Sequence, residues 1–481
     1  MHRVYPCGAM RLKLLMLLLA VACTEHAQAT FQGHYGGSGD DAARGGVQAL
    51  DDGFIAVGES RSFSAGGDYD VYVVRTNTSG AVLWAATYDI GNGGDDFGRK
   101  IRRTADGGFV IVGSTEVKGC CAGVGSDAFV LSIAADGSVR WARRYGGSLD
   151  DQGTNIKPYG PNANEFAVTG YTASFGEDGK YDAFLMVIAG DGTIKWARTY
   201  GGTGFDAFHS VVETEDNGDL IAVGESASFG QGDQIFVVRV HSDGHLVWAG
   251  TVGGSLDDAG YDIVHFSRSV TGDDIYAVVG STMLIAGHPY PYLIKFNGTG
   301  GCICDRLFFG APLGEMVPDG TFREAIIADD KNIVVAGYFS PRFGLGGHDA
   351  VLMRIGWDCQ PMWSFLYGAA QEDEAFALDS AQTGYILAGY TTSFTFGNED
   401  LYLVRTNGDG TSCIDSAMFL GLAGFGYCFN FWTVATPRWQ SDCAITVARK
   451  PVDGGQTICS DDANDRLVPD VLRREFGALD R

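Results

Sequence analysis

The 481-residue chain carries 70 glycines, about twice the usual share, and only 12 prolines. A hydrophobic content of 45% excludes a disordered chain, and the absence of any three-residue glycine rule excludes collagen. With 59 acids against 34 bases the formal net charge is −25, the opposite of a nucleic-acid binder's basic footprint.

From the N-terminus, residues 1–29 predict an export signal. Arg3, Arg11 and Lys13 form the basic head, Leu14 to Ala22 the apolar run, and Ala27-Gln28-Ala29 the small-x-small cleavage site. Ala20-Val21-Ala22-Cys23 offers a rival lipobox-like site with lipidation at Cys23, although Ala stands where Leu is usual. Beyond this stretch no apolar run approaches the ~20 residues of a membrane helix. The mature chain is therefore expected outside the cytoplasm, as a periplasmic, secreted or surface-held monomer without a transmembrane segment.

After the signal, internal repetition dominates. A segment of the type Gly-Gly-Phe-Val-Ile-Val-Gly recurs at Phe54–Gly58, Phe109–Gly113, Phe166–Gly170, Leu220–Gly224, Tyr276–Gly280, Ile333–Gly337 and Tyr385–Gly389. A second apolar run follows each, and nine residues past its end stands Trp84, Trp141, Trp196, Trp248 or Trp363. Cys304 and Ile414 hold that slot in repeats five and seven. Each unit holds four strand-like runs separated by turn signals such as Ala135-Asp136-Gly137 and Ser242-Asp243-Gly244. Runs such as Asp70–Arg75 are apolar on both faces, as expected of a sheet sandwiched between two others. Four-stranded units of this kind, repeated around a ring, predict an all-β fold of the β-propeller type. The tryptophans are expected to form inter-blade core.

The pattern Tyr-Gly-Gly-Ser-x-Asp-Asp, Asp-Gly-Gly-Phe-x-x-x-Gly, Asp-x-Phe-Val-x-Arg and Gly-x-x-x-Trp resembles the seven-bladed β-propeller repeats of bacterial secreted and surface proteins. The resemblance spans about residues 31–417 and implies fold and compartment, but no single activity. Repeats five to seven depart from it at Tyr290, Cys304 and Ile414.

Ring closure has two solutions. Phe31 shares the register of Trp141, so the mature N-terminus is an orphan fourth strand. Cys428–Ala435, Cys443–Ala448 and Thr457–Ser460 offer strands for a degenerate eighth blade, which the division of residues 30–460 favours. The alternative is seven blades, with Phe31 replacing the weak run at Ile414. Residues 461–481 form a charged tail.

Function is expected on the face with the longer loops, which join fourth to first and second to third strands. There, ten residues after each Trp slot, or twelve in the case of Asp96, stand Asp41, Asp96, Asp151, Asp206, Asp258 and Asp373, with Glu315 displaced by one. Two readings stay open: a ring around the central opening that attracts a cation such as calcium, or acids that each shape their own Gly-Gly turn. Cys120-Cys121, in the longest second-to-third loop, is a candidate vicinal disulfide in an oxidising compartment. The mature chain holds nine cysteines, so at least one is left without an intramolecular partner. No committed catalytic motif appears. The expected function is that of an exported, non-catalytic binding module for a protein or glycan. The Arg-x-x-x-x-Gly-x-x-x-Trp run also resembles the docking motif of quinoprotein dehydrogenases, which implies a second, enzymatic reading. Glycan binding or hydrolysis at the pore is a third.

Overall fold

The computed structural model describes residues 30–460 except 117–124, 269–273, 311–319, 341–346, most of 424–441 and a few shorter gaps; beyond residue 413 only backbone strands are described. The predicted signal, Cys120-Cys121, Glu315 and the charged tail lie outside these residues. The fold is all-β: seven four-stranded blades stand in a ring. Blade 1 contains Asp41–Leu50, Gly53–Ser60, Asp70–Thr76 and Val82–Asp89, in that order from the axis outward. The innermost strands of blades 2 to 7 are Asp96–Arg103, Asp151–Tyr159, Asp206–Glu213, Asp258–Arg268, Gly320–Ile327 and Asp373–Ala381.

Seven blades close the ring, which corrects the eight-blade reading. Phe31–Tyr35 pairs antiparallel with Asp400–Arg405, Phe31 opposite Arg405, and so supplies the fourth strand of blade 7. The C-terminal strands build no blade of their own. Ser416–Ala417, Leu420–Ala423, Asn430–Phe431, Asp442–Ile445, Ala448–Pro451 and Gln456–Ser460 add singly to the outer edges of blades 6, 5, 4, 2, 1 and 7. That stretch therefore runs back around the ring, covering edges that would otherwise expose unpaired backbone.

Both faces of each blade are apolar because each core layer lies between two blades. One layer joins Ile55, Val57, Val71 and Val73 of blade 1 to Ile101, Ile111 and Phe129 of blade 2. The recurring glycine that ends the second-strand motif is set by close approach. A methyl group at Gly113 would stand 1.8 Å from the Phe97 carbonyl, and the same clash recurs at Gly170, Gly224 and Gly389. The carbonyl comes this close because the innermost strand bulges beside it. In blade 2 the pairing jumps from Gly98–Gly113 to Lys100–Val112, leaving Arg99 without an opposite residue.

Neighbouring blades are latched by a repeated polar contact. The hydroxyls of Tyr35, Tyr88, Tyr145 and Tyr200, all fully buried, donate to the carbonyls of Gly80, Gly137, Gly192 and Gly244 in the next blade at 2.7–2.8 Å. Tyr367 donates likewise to Gly410. The tryptophans lie against the same turns, half-buried rather than enclosed. Trp196 Nε1 donates to the Ser242 carbonyl at 2.8 Å and Trp248 Nε1 to that of Gly298 at 3.0 Å. The junction of blades 5 and 6 differs. Cys304 fills the Trp slot, and Cys359 fills the turn position held elsewhere by a positive-φ glycine, at φ 64° against 81° for Gly244. The two cysteines form a disulfide.

Candidate functional site

The bulged residue of each innermost strand builds the mouth of the central channel on the long-loop face. Three positions past the leading residue stand Arg44, Arg99, Thr154, His209, Tyr261, Arg323 and Phe376, one per blade and each half-buried. A bulge re-aims a side chain that a regular ladder would send to one face, and here each blade re-aims one at the axis. Their contacts run from blade to blade. The Arg44 guanidinium lies 4.9 Å from the Tyr390 ring, Phe376 stacks on Tyr390 at 6.1 Å, and Arg323 lies 4.2 Å from Tyr261. His209 contacts Tyr261 at 5.3 Å and pairs with Glu225 at 3.2 Å. Arg99 approaches Glu59 of blade 1 at 3.8 Å, and Tyr171 of blade 3 donates to Gln152 at 2.6 Å. Burial raises the Glu59 carboxyl above its usual range, with Arg99 and Arg44 opposing the rise. Burial also works on Glu225, but His209 outweighs it and the carboxyl falls.

Below this mouth, ion pairs cross the channel. Lys100 of blade 2 reaches Glu324 of blade 6 at 2.6 Å, both side chains nearly enclosed, and Arg102 reaches the same carboxylate at 3.4 Å. Lys157 of blade 3 pairs with Asp262 of blade 5 at 3.5 Å. The carboxylates also accept from the inner backbone edges, which have no strand beside them. Asp262 takes the amide of Ala325 at 3.0 Å, Glu324 that of Leu378 at 2.9 Å, and Asp379 that of Ala49 at 2.8 Å. An innermost strand needs such acceptors because buried backbone donors must be paired. The result is a floor. Mouth and floor together form a cup rather than an open pore.

The sequence-predicted acids lie beside this cup, not around its opening. Asp41, Asp96, Asp151, Asp206 and Asp373 are fully buried and Asp258 is 1% exposed. Asp151 Oδ2 accepts from the Gly147 amide at 2.8 Å and from Ser174 Oγ at 2.7 Å, closing its own turn. Asp41 and Asp206 repeat this with Gly37 and Ser62 and with Gly202 and Ser228. Gly254 and Ala369 donate likewise to Asp258 and Asp373, and Ile90 to Asp96. The preceding blade supplies a second acid: a methyl at Gly146 would stand 2.3 Å from Asp127 and 2.7 Å from Asp151, which explains the first Gly of Tyr-Gly-Gly. In blade 6 the register puts Gly320 opposite Phe339 where the other blades set Asp opposite Ser or Thr. The mouth residues were not singled out from sequence. Their signal was available in six blades, as the position three past the leading Asp; Arg323 follows Gly320 instead.

Among the described residues, three groups bring together enough donors for a cation. These are Asp70, Asp89 and Asp96 between blades 1 and 2; His348, Glu372 and Glu374 at the rim; and Glu215, His265 and Asp274 on the short-turn face. In the latter two the imidazole already bonds its carboxylates, His348 to Glu374 at 2.7 Å and His265 to Asp274 at 3.2 Å.

No protein-family model and no curated protein matches the sequence. Among solved structures the chain is similar to Sqt1 from Chaetomium thermophilum, with a TM-score of 0.38 and 11% identity over 81% of this chain and 90% of that one. A likeness at that level leaves function to be argued from this chain's own residues.

Proposed function

We propose that the protein is an exported, non-catalytic binding module that receives its ligand in the cup on the long-loop face. The observation that carries this reading is the mouth: seven equivalent bulges present arginine, imidazole, aromatic and hydroxyl groups around one axis, above a floor of ion pairs. Aromatic surface with a few convergent polar groups is the usual composition of a ligand pocket. Binding rather than catalysis is favoured because the mouth's carboxylates are committed: Glu59 to Arg44 and Arg99, Glu225 to His209, and Glu374 to His348. Export is supported by the signal-like residues 1–29, by a first strand that begins at Phe31, and by the Cys304–Cys359 disulfide, a bond that persists in oxidising compartments.

Glycan and peptide arrays probed with labelled protein test the binding reading. Signals seen with wild type are expected to vanish with both Tyr171→Ala and Phe376→Ala, which alter opposite sides of the mouth. Signals unchanged in both variants would move binding away from the cup.

A further inference from the structure

Among the described residues, the bases lining the channel are neutralised by carboxylates, with one exception. Arg44 pairs with Glu59 and Glu399, Arg99 with Glu59, Lys100 and Arg102 with Glu324, and Lys157 with Asp262. Arg323 has no hydrogen bond or ion pair among the described residues, and its Nε is buried without an acceptor. What holds it is aromatic. Its guanidinium carbon lies 4.2 Å from the Tyr261 ring, 5.2 Å from Phe376 and 5.8 Å from Tyr338. Stacking of this kind fixes the guanidinium plane but offers its N–H groups nothing to donate to. Glu225, whose carboxylate senses the Arg323 charge, is already bonded by His209.

An unpartnered, pre-positioned guanidinium in a chain of net charge −25 lacks neither acids nor opportunity to pair. Its freedom from them leaves the fork open to a ligand. The fork matches a carboxylate in two parallel hydrogen bonds. A singly charged group suits the surroundings better than a phosphate dianion, since Glu59, Glu225 and Glu374 stand in the same mouth and like charges repel. Beside the arginine stands the Tyr338 hydroxyl, His209 lies against Tyr261, and across the mouth Tyr171 and Gln152 add further donors and acceptors, with aromatic faces between them. That mixture suits a ring bearing hydroxyls. The closed floor admits a compact end group rather than a threaded chain. We propose that Arg323 anchors a carboxylate subsite, and that the ligand it selects is a uronic acid residue of a glycan. This inference rests on the reading of the mouth as a binding cup.

Calorimetric titration of the full mature chain tests it, with galacturonate oligosaccharides, the matching neutral galactosides and an acetylated tripeptide with a free terminal carboxylate as probes. The uronates are expected to bind at least about tenfold more tightly than the neutral sugars, a difference of about 1.4 kcal/mol. Arg323→Met should erase that preference and Arg323→Lys should keep part of it, with unchanged melting temperatures showing intact folds. Equal affinity for charged and neutral sugars, tighter binding of the tripeptide, or no uronate binding would each overturn the subsite. If uronates and neutral sugars bind alike and independently of Arg323 but both are lost in Tyr171→Ala, the subsite fails while the cup stands. If binding survives Tyr171→Ala as well, the cup itself fails.

Discussion

At Cys359 the chain adopts φ 64°, a region that a side chain with Cβ enters only at a cost, in a turn whose counterparts use glycine. The position gains from that cost because Cys304 stands where Trp196 or Trp248 lies against the equivalent turn. The disulfide replaces a packing contact and a Trp–carbonyl hydrogen bond. The polar cluster at the same junction is gone too: Tyr290, Gly320 and Phe339 hold positions that elsewhere carry acids and a hydroxyl. Blades 5 and 6 are thus joined covalently where the other junctions rely on aromatic and hydrogen-bonded contacts. A disulfide contributes roughly 2–4 kcal/mol, so Cys304→Ser should lower the melting temperature measurably. The informative variant restores the sibling pattern, Cys304→Trp together with Cys359→Gly. It should melt above Cys304→Ser under the same conditions, because the glycine relieves the turn while the indole regains its seat. Equal melting of the two would mean that the junction does not use the Trp–Gly geometry of its neighbours.

Six of the seven innermost strands open on a buried acid, and that placement has a pH signature. Burial raises Asp96 to about 8 and Asp258 to about 6, against the bonds each accepts, and Asp41, Asp151, Asp206 and Asp373 move the same way. A carboxyl whose pKa is higher folded than unfolded keeps its proton preferentially in the folded state. Between the unfolded value of 3.8 and the folded values, the native state binds more protons, so stability falls as pH rises through that window. Thermal melts should therefore run higher at about pH 5 than at about pH 8, and Asp96→Asn should flatten the upper part of the slope. A melting temperature that rises over this range would show the acids ionised and stabilising. These turns were half-legible in the sequence: recurrence fixed the spacing of the acids, and the Asp–Gly-Gly turn was one of two readings it allowed. What recurrence cannot display is whether a repeated acid faces its own turn or the axis, since both satisfy the same period. The bulge escaped for a related reason. Arg99 and its counterparts differ in type from blade to blade, so a search for sameness passes over the positions where the ring is most varied. The floor was illegible because Lys100 and Glu324 meet only through the closed ring, and Arg102 lies 222 positions from the same glutamate in sequence.

A ring of blades has no ends, but a chain has two, and the molecule resolves this in blade 7. Residues 373–405 complete only three strands there. Phe31–Tyr35 supplies the fourth and carries with it several separate closures. Its backbone pairs with Asp400–Arg405, His34 Nδ1 meets Asp400 at 2.7 Å, and Gln32 bonds the buried Tyr402 hydroxyl. Tyr35 then donates to Gly80 of blade 1 at 2.7 Å, while Phe31 packs beside Phe54 with ring centroids 5.8 Å apart. One short strand thus holds blade 7 to itself and to blade 1. The polar contacts between blades 1 and 7 depend on that closure, because Arg44 of blade 1 reaches Glu399 and the Ala49 amide reaches Asp379 of blade 7 only in a closed ring. Removing residues 30–36 should therefore cost far more than a surface strand of the same length. It uncovers an apolar layer and leaves the Tyr402 hydroxyl and the Gly80 carbonyl without these partners, each a penalty of roughly 1–3 kcal/mol. The expected outcome is a large drop in melting temperature with loss of a single cooperative transition. A synthetic peptide of residues 30–38, added in trans, should bind the truncated chain and restore the transition as mass action dictates, by RT ln(1 + [L]/Kd). The same peptide with Tyr35→Phe should rescue less, by the value of one buried latch. If truncation left the melt unchanged, ring closure would rest elsewhere; if the peptide bound without restoring cooperativity, the strand would complete blade 7 without joining it to blade 1.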